Sequence, residues 1–531
     1  MRVGAHAHSA QLDTGRYKQG NRGITIALAL WPILWIVLPW SLELVPPVDN
    51  LEQLVWSQSL ELGYYKHPPL PTWILIGAER LAGPSLLLTE ILAVGALVAG
   101  GYFLWRLARE LLGARGGMLA VLATACMAFY SYRAHAYNHN SWLVAFSYAS
   151  TWYLWRAVAS GRRRDWLLWG ATAAAAALSK YQFAIVLACW LGILLHLRLY
   201  RDPKVRTGAL LGAACAAVLW LPHFLWLLRT HFLPLHYANA LILAHLGPLR
   251  RLDVSAGFLL QQVRDVLPAA LMIYLAGRFS SSPGSLRAPT RSAVAGAPSS
   301  GTPLDTGPCA ERPDPQRQVW IGWLALGPLA FTLLLGLVSG SRLENEWGNG
   351  CMQFSALALI EWSLVSWGRR GCESAAPPAM LAAFALVQAG LVGYVLTTDL
   401  YQREQRLGAV ELRSFDPRAF SQAVRSDWYR HTREPLRYVS GDWSAFIAVY
   451  APEHPQVLLE GNPRYAPWVS LAAMRRCGAV YFSPVQPPSG SASRAGQFAT
   501  LDYHHAFRAV PVTIHWRIVD PTPACESSPT G

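Results

Sequence analysis

Long apolar runs recur along the first 400 residues of this 531-residue chain, separated by short polar and basic segments. Each run has about 17 to 25 residues, enough for one helix to cross the roughly 30 Å hydrocarbon core of a bilayer. Hydrophobic residues make up 53% of the chain and charged residues only 14%, which excludes an ordinary soluble protein. The pattern predicts an α-helical polytopic membrane protein with about eleven transmembrane helices.

Basic residues give these helices a direction. Arg and Lys cluster between alternate runs, as in cytoplasmic loops, so membrane topology explains the net charge of +14. A nucleic-acid-binding face is the weaker alternative, and we expect no nucleic acid partner. Arg16, Lys18 and Arg22 precede the first span, about Ile24 to Val45, so residues 1–23 are predicted to be cytoplasmic. Further spans are predicted near residues 85–105, 117–134, 141–158, 207–228, 255–276, 319–339, 351–367 and 379–397, with two short helices between 164 and 198.

Composition divides the chain into domains. Residues 24–398 are predicted to form the membrane domain, with residues 46–84 as its first outer loop. Residues 279–318 are rich in Ser, Pro, Gly and Ala, which predicts a disordered cytoplasmic linker.

An odd number of crossings places residues 399–531 outside, as a small α/β domain. Its expected elements are strands at Leu436–Ser440, Gln456–Glu460, Ala479–Ser483 and Val512–Val519, and a helix at Ser444–Tyr450. Cys477 and Cys525 can form a disulfide if this region is extracytoplasmic.

The first outer loop concentrates polar residues at the membrane surface. Asp49 can take a proton from an acceptor hydroxyl or orient it. Alternatively it is the N-cap of an amphipathic helix, with Glu52 three residues later as in a capping box, and the local pattern alone favours the cap. Lys66 is either solvated or a ligand contact, and His67 either ligates a metal or donates to phosphate.

Polar residues beyond the first loop have two interpretations each. Lys180 interrupts the apolar run 171–195, where it either serves a function or snorkels to the surface. Residues 138–140, Asn-His-Asn, are either helix caps or substrate hydrogen-bonders. Arg342 either pairs at the surface with Glu344 and Glu346 or binds phosphate. Outer cations of this kind would suit a phosphate-bearing lipid.

The stretch VDNLEQLVWSQSLELGYYKHPPLPTW, residues 48–73, resembles the first-loop signature of GT-C-class membrane glycosyltransferases. The relevant branch is family 39, the PMT-like enzymes related to protein O-mannosyltransferases and to lipid A aminoarabinose transferases. YNHNSWL at 137–143 and ALSKYQFAIVL at 177–187 extend the resemblance.

The resemblance implies transfer of a sugar from a polyprenyl-phosphate donor to a lipid, polysaccharide or protein acceptor. The expected location is the periplasmic face of a bacterial inner membrane, in contact with membrane lipids. The N-terminus would then be cytoplasmic and residues 399–531 periplasmic. The alternatives from the residues alone are a transporter or lipid flippase, and a membrane-anchored sensor.

By position, the resemblance makes Asp49 the catalytic acid. His67 and Lys180 match basic positions of the family. Together with the residue-level reasoning, this gives the candidate substrate-binding residues, which are Glu52, Tyr65, Lys66, His67, Asn138, His139, Asn140, Lys180, Tyr181 and Arg342. Two positions depart from the family pattern. The usual Asp-Glu pair reads Asp49-Asn50 here, and Lys66 stands where many relatives have an acid. No cofactor is certain, and a divalent metal is left open.

Overall fold

In the computed structural model, the described residues are 3–43, 45–242, 246–280, 315–366, 376–398, 406–407, 410–411, 415–504 and 508–525. The membrane domain contains α1 (Val3–Leu42), α2 (Val48–Trp56), α3 (Leu70–Ala82), α4 (Leu86–Thr124), α5 (His139–Ser160), α6 (Arg163–Ser179), α7 (Phe183–His196), α8 (Pro203–Arg229), α9 (Leu233–Ile242), α10 (Pro248–Ser280), α11 (Pro315–Ser339), α12 (Gly348–Met352), α13 (Ser355–Ser366) and α14 (Pro377–Thr398).

Six helices within the described ranges are long and apolar enough to cross a membrane. They are α1 from Arg22 onward, α4, α8, α10, α11 and α14. The predicted multi-pass helical membrane fold is confirmed. The total of eleven crossings stays a prediction, because several of the shorter helices do not reach that length or hydropathy by themselves.

The segment α4 consists of two helices that fold back on each other at Gly113. Gly113 interrupts it with φ 79° and ψ 176°, a conformation that favours glycine. A Cβ at Gly117 would lie 3.1 Å from the Cα of Arg109, eight residues earlier. In a straight helix those positions are about 12 Å apart, so the chain reverses near Gly113. The two spans predicted on either side of residues 106–116 are therefore the two arms of α4.

Two other predicted segments differ from the structure in detail. The span expected at 351–367 is broken, because α12 ends at Met352 and α13 begins at Ser355. The predicted linker 279–318 is helical at both ends, where α10 runs to Ser280 and α11 starts at Pro315. Residues 281–314 lie outside the described residues, and the domain boundaries stay predictions.

The C-terminal region contains a small mixed sheet. Its elements are β1 (Arg406–Leu407), β2 (Val410–Glu411), α15 (Pro417–Tyr429), β3 (Tyr438–Ser440), α16 (Ser444–Tyr450), β4 (Gln456–Leu458), α17 (Leu471–Cys477), β5 (Ala479–Phe482), β6 (Arg494–His504) and β7 (Arg508–Val519). The main sheet has the order β4-β3-β5-β7-β6, with parallel pairs among β3, β4 and β5 and antiparallel pairs to β7 and β6. All four predicted strands and the predicted helix are present.

The C-terminal sheet domain and the first loop share one hydrophobic core. Val55 and Trp56 of α2 are fully buried in the same cluster as Phe446 and Ile447 of α16. Gln58 adds polar contacts, donating to the carbonyl of Pro455 at 3.0 Å and accepting from the Val457 amide at 3.1 Å. The first loop is therefore held between the helical bundle and the sheet domain.

Candidate active site

A polar cavity of about 270 Å³ opens where the first loop meets the ends of the bundle helices. It is lined by Asp49, Glu52, Gln53, His67, Asn138, His139, Asn140, Lys180, Glu344, Glu346 and Trp347. Four separate parts of the chain supply these residues: the first loop, the start of α5, the turn between α6 and α7, and the loop after α11. We call this cavity the acid–lysine pocket.

Asp49 lies in the first turn of α2 and does not cap it. The N-cap is Pro47, and no side chain caps the helix, so the predicted capping role is wrong. Asp49 Oδ2 instead accepts a hydrogen bond of 2.9 Å from Asn138 Nδ2. Burial, reinforced by Glu52, raises the pKa of Asp49 to about 6. A carboxyl group with this pKa can exchange a proton near neutral pH.

Lys180 follows the last residue of α6 and faces the same pocket. Its Nζ donates to Asn140 Oδ1 at 2.7 Å, so the ammonium group is held by a pocket residue and does not snorkel outward. Burial lowers the pKa of Lys180 to about 8, although Asp49 and Glu346 favour its charged form. A partly desolvated cation of this kind suits the phosphate of a ligand.

The start of α5 connects the acid to the cation. Asn138 is the N-cap of α5, and its Oδ1 accepts from the Asn140 amide at 2.9 Å while its Nδ2 reaches Asp49. Asn140, two residues later, holds Lys180. The predicted capping role of the Asn-His-Asn motif is confirmed for its first residue, and all three residues line the pocket. Their contact with a substrate stays a prediction.

Two histidine rings in contact, tilted at 41° to each other, form another wall. The rings of His67 and His139 have centroids 4.1 Å apart. Burial, with His139 and the nearby lysines, lowers the pKa of His67 well below its usual range, so that ring is neutral. Gln53 Oε1 accepts from Thr72 at 2.9 Å, which leaves its Nε2 to donate to His139 Nδ1 at 3.3 Å. The His139 proton is consequently assigned to Nε2.

Lys66 is directed away from the pocket. Its Nζ lies 2.5 Å from Glu52 Oε1 and sits over the rings of Tyr65 and Tyr237, 5.2 and 5.4 Å from their centroids. Burial opposes its charge, but Glu52 and the tyrosines outweigh that effect and the pKa of Lys66 lies well above its usual range. The predicted contact between Lys66 and phosphate does not fit this placement, since Glu52 already satisfies the cation.

Three more predicted residues lie outside the pocket lining. Tyr65 stacks on Tyr465 of the sheet domain with centroids 4.3 Å apart. The hydroxyl of Tyr181 is 3.1 Å from His223 Nε2, which ties the turn after α6 to α8. Arg342 is exposed and, among the described residues, forms no ion pair with the two glutamates after it.

Residues 66–226 match the family model described as "Dolichyl-phosphate-mannose-protein mannosyltransferase". This match makes residues 66–226 a PMT-like segment of the chain. Its predicted resemblance to PMT-like proteins is confirmed, and the range includes His67, the Asn-His-Asn motif and Lys180, whereas Asp49 precedes it.

One curated relative and two solved structures are similar to this chain. Lipopolysaccharide core galacturonosyltransferase RgtA from Rhizobium johnstonii is 28% identical over 210 residues, which are 37% of this chain and 39% of RgtA. The chain thus matches about two fifths of the length of that relative.

ArnT from Cupriavidus metallidurans, in a crystal structure bound to undecaprenyl phosphate, superposes with a TM-score of 0.55 at 13% identity. The match covers 93% of this chain and 97% of that one. The apo state of the same protein gives a TM-score of 0.50 at 13% identity, over 93% and 96% of the two chains. At such low identity the likeness shows the fold, which confirms the predicted GT-C architecture.

Several residues in and beside the pocket were missed or misread from sequence. Glu344 and Glu346 entered the sequence analysis only through one of the two alternatives for Arg342, a surface ion pair, yet both line the cavity with Trp347. Gln53 carried no signal beyond its place in the first loop. Asn50, the departure from the Asp-Glu pattern, is fully buried and has a structural role.

Asn50 links the first loop to the PMT-like segment. Its Nδ2 donates to Thr89 Oγ1 at 2.9 Å and to the His135 carbonyl at 3.3 Å. Its Oδ1 accepts from the Tyr137 amide at 2.7 Å. An amide suits this position because it both donates and accepts.

Among the residues the structure describes, no group of three or more His, Cys, Asp or Glu side chains is arranged to hold a metal ion.

Proposed function

We propose that the protein is a membrane glycosyltransferase that moves a sugar from a polyprenyl-phosphate donor to an acceptor hydroxyl. The observation that carries this proposal is the acid–lysine pocket, in which Asp49 and Lys180 face one cavity of about 270 Å³. Support also comes from the PMT-like segment and from the fold shared with ArnT, whose crystal structure contains undecaprenyl phosphate.

The two groups suit opposite ends of an inverting displacement. Asp49 takes the proton of the acceptor hydroxyl, and the acceptor oxygen attacks the anomeric carbon of the sugar. The bond from that carbon to the phosphate oxygen breaks, and polyprenyl phosphate leaves with the bonding electrons. Lys180 stabilises the negative charge that develops on this departing phosphate. The charge is balanced once Asp49 releases its proton to solvent.

Carboxylates surround the space left for the sugar. Asp49, Glu344 and Glu346 line the pocket, while Glu52 is neutralised by Lys66. Carboxylate oxygens accept hydrogen bonds from sugar hydroxyls but repel another carboxylate. We therefore expect a neutral hexosyl or pentosyl donor, or one bearing an amine, and we expect a uronic acid to be disfavoured. In this respect the chain would differ from RgtA, which is named as a galacturonosyltransferase.

The expected side of the membrane is periplasmic, at a bacterial inner membrane with a cytoplasmic N-terminus. The alternating basic clusters support this orientation. The disulfide between Cys477 and Cys525 also fits, because disulfides persist in oxidising compartments. Lipid, polysaccharide and protein acceptors all remain compatible with the pocket. The transporter and sensor alternatives gain no support from the relatives described above.

A donor-dependent assay in proteoliposomes tests the activity. Purified protein is given undecaprenyl-phosphate-linked hexose, aminopentose or hexuronic acid with an envelope lipid extract as acceptor, and sugar transfer is measured by mass spectrometry. We expect transfer from a neutral or amino sugar at least tenfold faster than from the uronic acid. Transfer from none of the three donors would contradict the proposed function, whereas a preference for the uronic acid would contradict only the sugar assignment.

A further inference from the structure

A second cavity lies beside the acid–lysine pocket, where the membrane domain meets the C-terminal sheet domain. Its volume is about 510 Å³. The lining comes from the first loop, the end of α8 with the turn after it, and the segment 464–468; it comprises Glu61, Gly63, Tyr64, Tyr65, Trp226, Arg229, Thr230, His231, Leu233, Arg464, Tyr465, Pro467 and Trp468. We call it the seam cavity. None of the steps assigned to Asp49 and Lys180 uses it.

The lining combines aromatic faces with cations. Five of its side chains are Tyr or Trp, and the rims carry Arg229 and Arg464 against the single carboxylate of Glu61. The Glu61 Oε1 already accepts from Ser59 at 2.8 Å. Arg464 Nη2 lies 3.5 Å from the Thr230 carbonyl, which brings the sheet domain's arginine to the end of α8. Guanidinium groups bind phosphate or carboxylate through paired hydrogen bonds.

Aromatic rings pack well against the faces of a sugar ring on which C–H groups point outward, because those faces are apolar. Tyr65 and Tyr465 stack with centroids 4.3 Å apart, and Tyr64 meets Trp468 edge-on at 6.5 Å. Rings fixed in this way present large contact areas without losing further side-chain freedom on binding. Gly63 allows the Trp226 ring to approach the first loop closely, because a Cβ at residue 63 would lie 2.5 Å from that ring. The seam cavity thus has the chemistry of a site for an anionic sugar.

One layer of side chains separates the seam cavity from the acid–lysine pocket. Trp56 stacks on Tyr64 with centroids 5.2 Å apart and an interplanar angle of 4°. Trp56 also contacts His139 of the pocket wall, with centroids 5.4 Å apart. Elsewhere in this layer, Lys66 lies between two residues: Tyr65, which lines the seam cavity, and Glu52, which lines the pocket. A ligand in the seam cavity is therefore next to the reacting groups.

The seam cavity also lies at the boundary between membrane and water. Arg229 is the last residue of α8, one of the helices long and apolar enough to span the bilayer. Large apolar side chains nearby are exposed, including Leu60 at 60% and Leu62 at 40%. Exposed leucines beside a helix end are expected where a surface contacts lipid. The head group of a membrane-anchored molecule can reach the cavity without leaving the bilayer.

We propose that the seam cavity is the acceptor subsite, and that it binds an acceptor sugar bearing a phosphate or carboxylate. This inference rests on the proposed glycosyltransferase function. It assigns Arg229 and Arg464 to the anionic group and the Tyr465 and Trp468 faces to the sugar ring. It also gives the C-terminal sheet domain a part in substrate recognition.

Binding tests the subsite without requiring turnover. Full-length protein in neutral detergent is titrated calorimetrically with a phosphorylated disaccharide, its unphosphorylated parent and inorganic phosphate. We expect only the phosphorylated disaccharide to bind in the micromolar to millimolar range. The double variant Arg229→Gln/Arg464→Gln should weaken this binding at least tenfold, while Arg433→Gln, an exposed arginine outside the cavity, should leave it unchanged.

The outcomes separate the possible sources of the anion. Equal binding by the wild type and the double variant, or equal binding of phosphate and the phosphorylated disaccharide, would overturn the proposal. Presenting the same phosphorylated disaccharide on a lipid anchor in mixed micelles distinguishes a membrane head group from a soluble glycan, since only the former binds tighter there. Either result supports the subsite if the arginine pair is required.

Kinetics separate this inference from the proposed function. In the transfer assay, the arginine double variant should raise the acceptor KM at least tenfold with little change in kcat, because neither arginine lines the acid–lysine pocket. An unchanged KM together with normal transfer would reject the subsite and leave the glycosyltransferase proposal intact. Absence of transfer by the wild type would reject the function, while the calorimetric result would still stand.

Discussion

At the residue scale, the pocket depends on a base and a cation whose pKa values lie on either side of neutrality. The pKa of Asp49 is raised to about 6 and that of Lys180 is lowered to about 8, both chiefly by burial. Asp49 acts when ionised, so activity is lost as the pH falls through about 6. Lys180 acts when protonated, so activity is lost as the pH rises through about 8.

A bell-shaped pH profile of kcat/KM is therefore expected, with limbs near pH 6 and 8. The variant Lys180→Arg should move the basic limb upward by more than a pH unit, because a guanidinium group keeps its proton. The acidic limb should stay in place. A profile of Lys180→Arg that superposes on that of the wild type would show that Lys180 does not set the basic limb.

Asn138→Ala removes the hydrogen bond that stabilises the ionised form of Asp49. The pKa of Asp49 should rise further, so the acidic limb should move to higher pH and kcat at pH 6 should fall. The matched control is Ser141→Ala, on the same helix, whose hydroxyl donates to the Ala136 carbonyl at 3.2 Å. An acidic limb that moves equally in both variants would argue against a specific role for Asn138.

The sequence identified some residues of this pocket and misjudged others. Asp49, His67, the Asn-His-Asn motif and Lys180 were nominated, and the fold brings them to one cavity. Glu344 and Glu346 were misjudged because their distance to Asp49 depends on how α11 packs, which no local pattern encodes. Lys66 was misjudged for a similar reason, since its partner Glu52 lies 14 residues away across the loop.

At the element scale, α2 holds the catalytic candidate in place through the residue after it. Asn50 is fully buried. Its side chain donates to Thr89 and to the His135 carbonyl, and it accepts from the Tyr137 amide. These bonds join the first loop to α4 and to the turn before α5. Replacing the side chain leaves buried polar groups without partners, which costs about 1–3 kcal/mol for each group.

Asn50→Ala should lower the thermal unfolding temperature by several degrees and reduce transfer. Asn50→Glu, which restores the family's Asp-Glu pair, should be at least as destabilising because it buries a second carboxylate beside Asp49. Fluorescence-monitored unfolding of the purified protein measures both, with the exposed Asn239→Ala as control. Full stability and activity of Asn50→Glu would contradict the structural role assigned to this residue.

Element identities were predicted well where hydropathy or β-branched residues dominate, as in α8, α11 and β3. The strand β6 was not predicted, because its sequence RAGQFATLDYH mixes Gly, Ala and polar residues and is stabilised by pairing with β7. The reversal near Gly113 was predicted from the basic residues around it, although the backbone conformation of that glycine was not.

At the scale of the whole molecule, the C-terminal sheet domain is part of the structure that holds the active-site loop. The tail was predicted as a small outer α/β domain, with no role assigned to it in the chemistry. Its core instead includes Trp56, which also packs against the pocket residues His67 and His139. A sequence pattern cannot reveal such sharing, because the two segments are about 400 residues apart, as the Gln58 to Val457 contact illustrates.

The most direct test of the central claim is the rate of sugar transfer by Asp49→Asn in proteoliposomes. The change keeps the shape of the side chain and removes the base, so transfer should fall on the order of 10²- to 10⁴-fold with no change in unfolding temperature. Glu79→Gln makes the same chemical change in the first loop outside the pocket, where Glu79 accepts from Ser57, and it should retain near wild-type transfer. Transfer by Asp49→Asn at the wild-type rate would contradict the account.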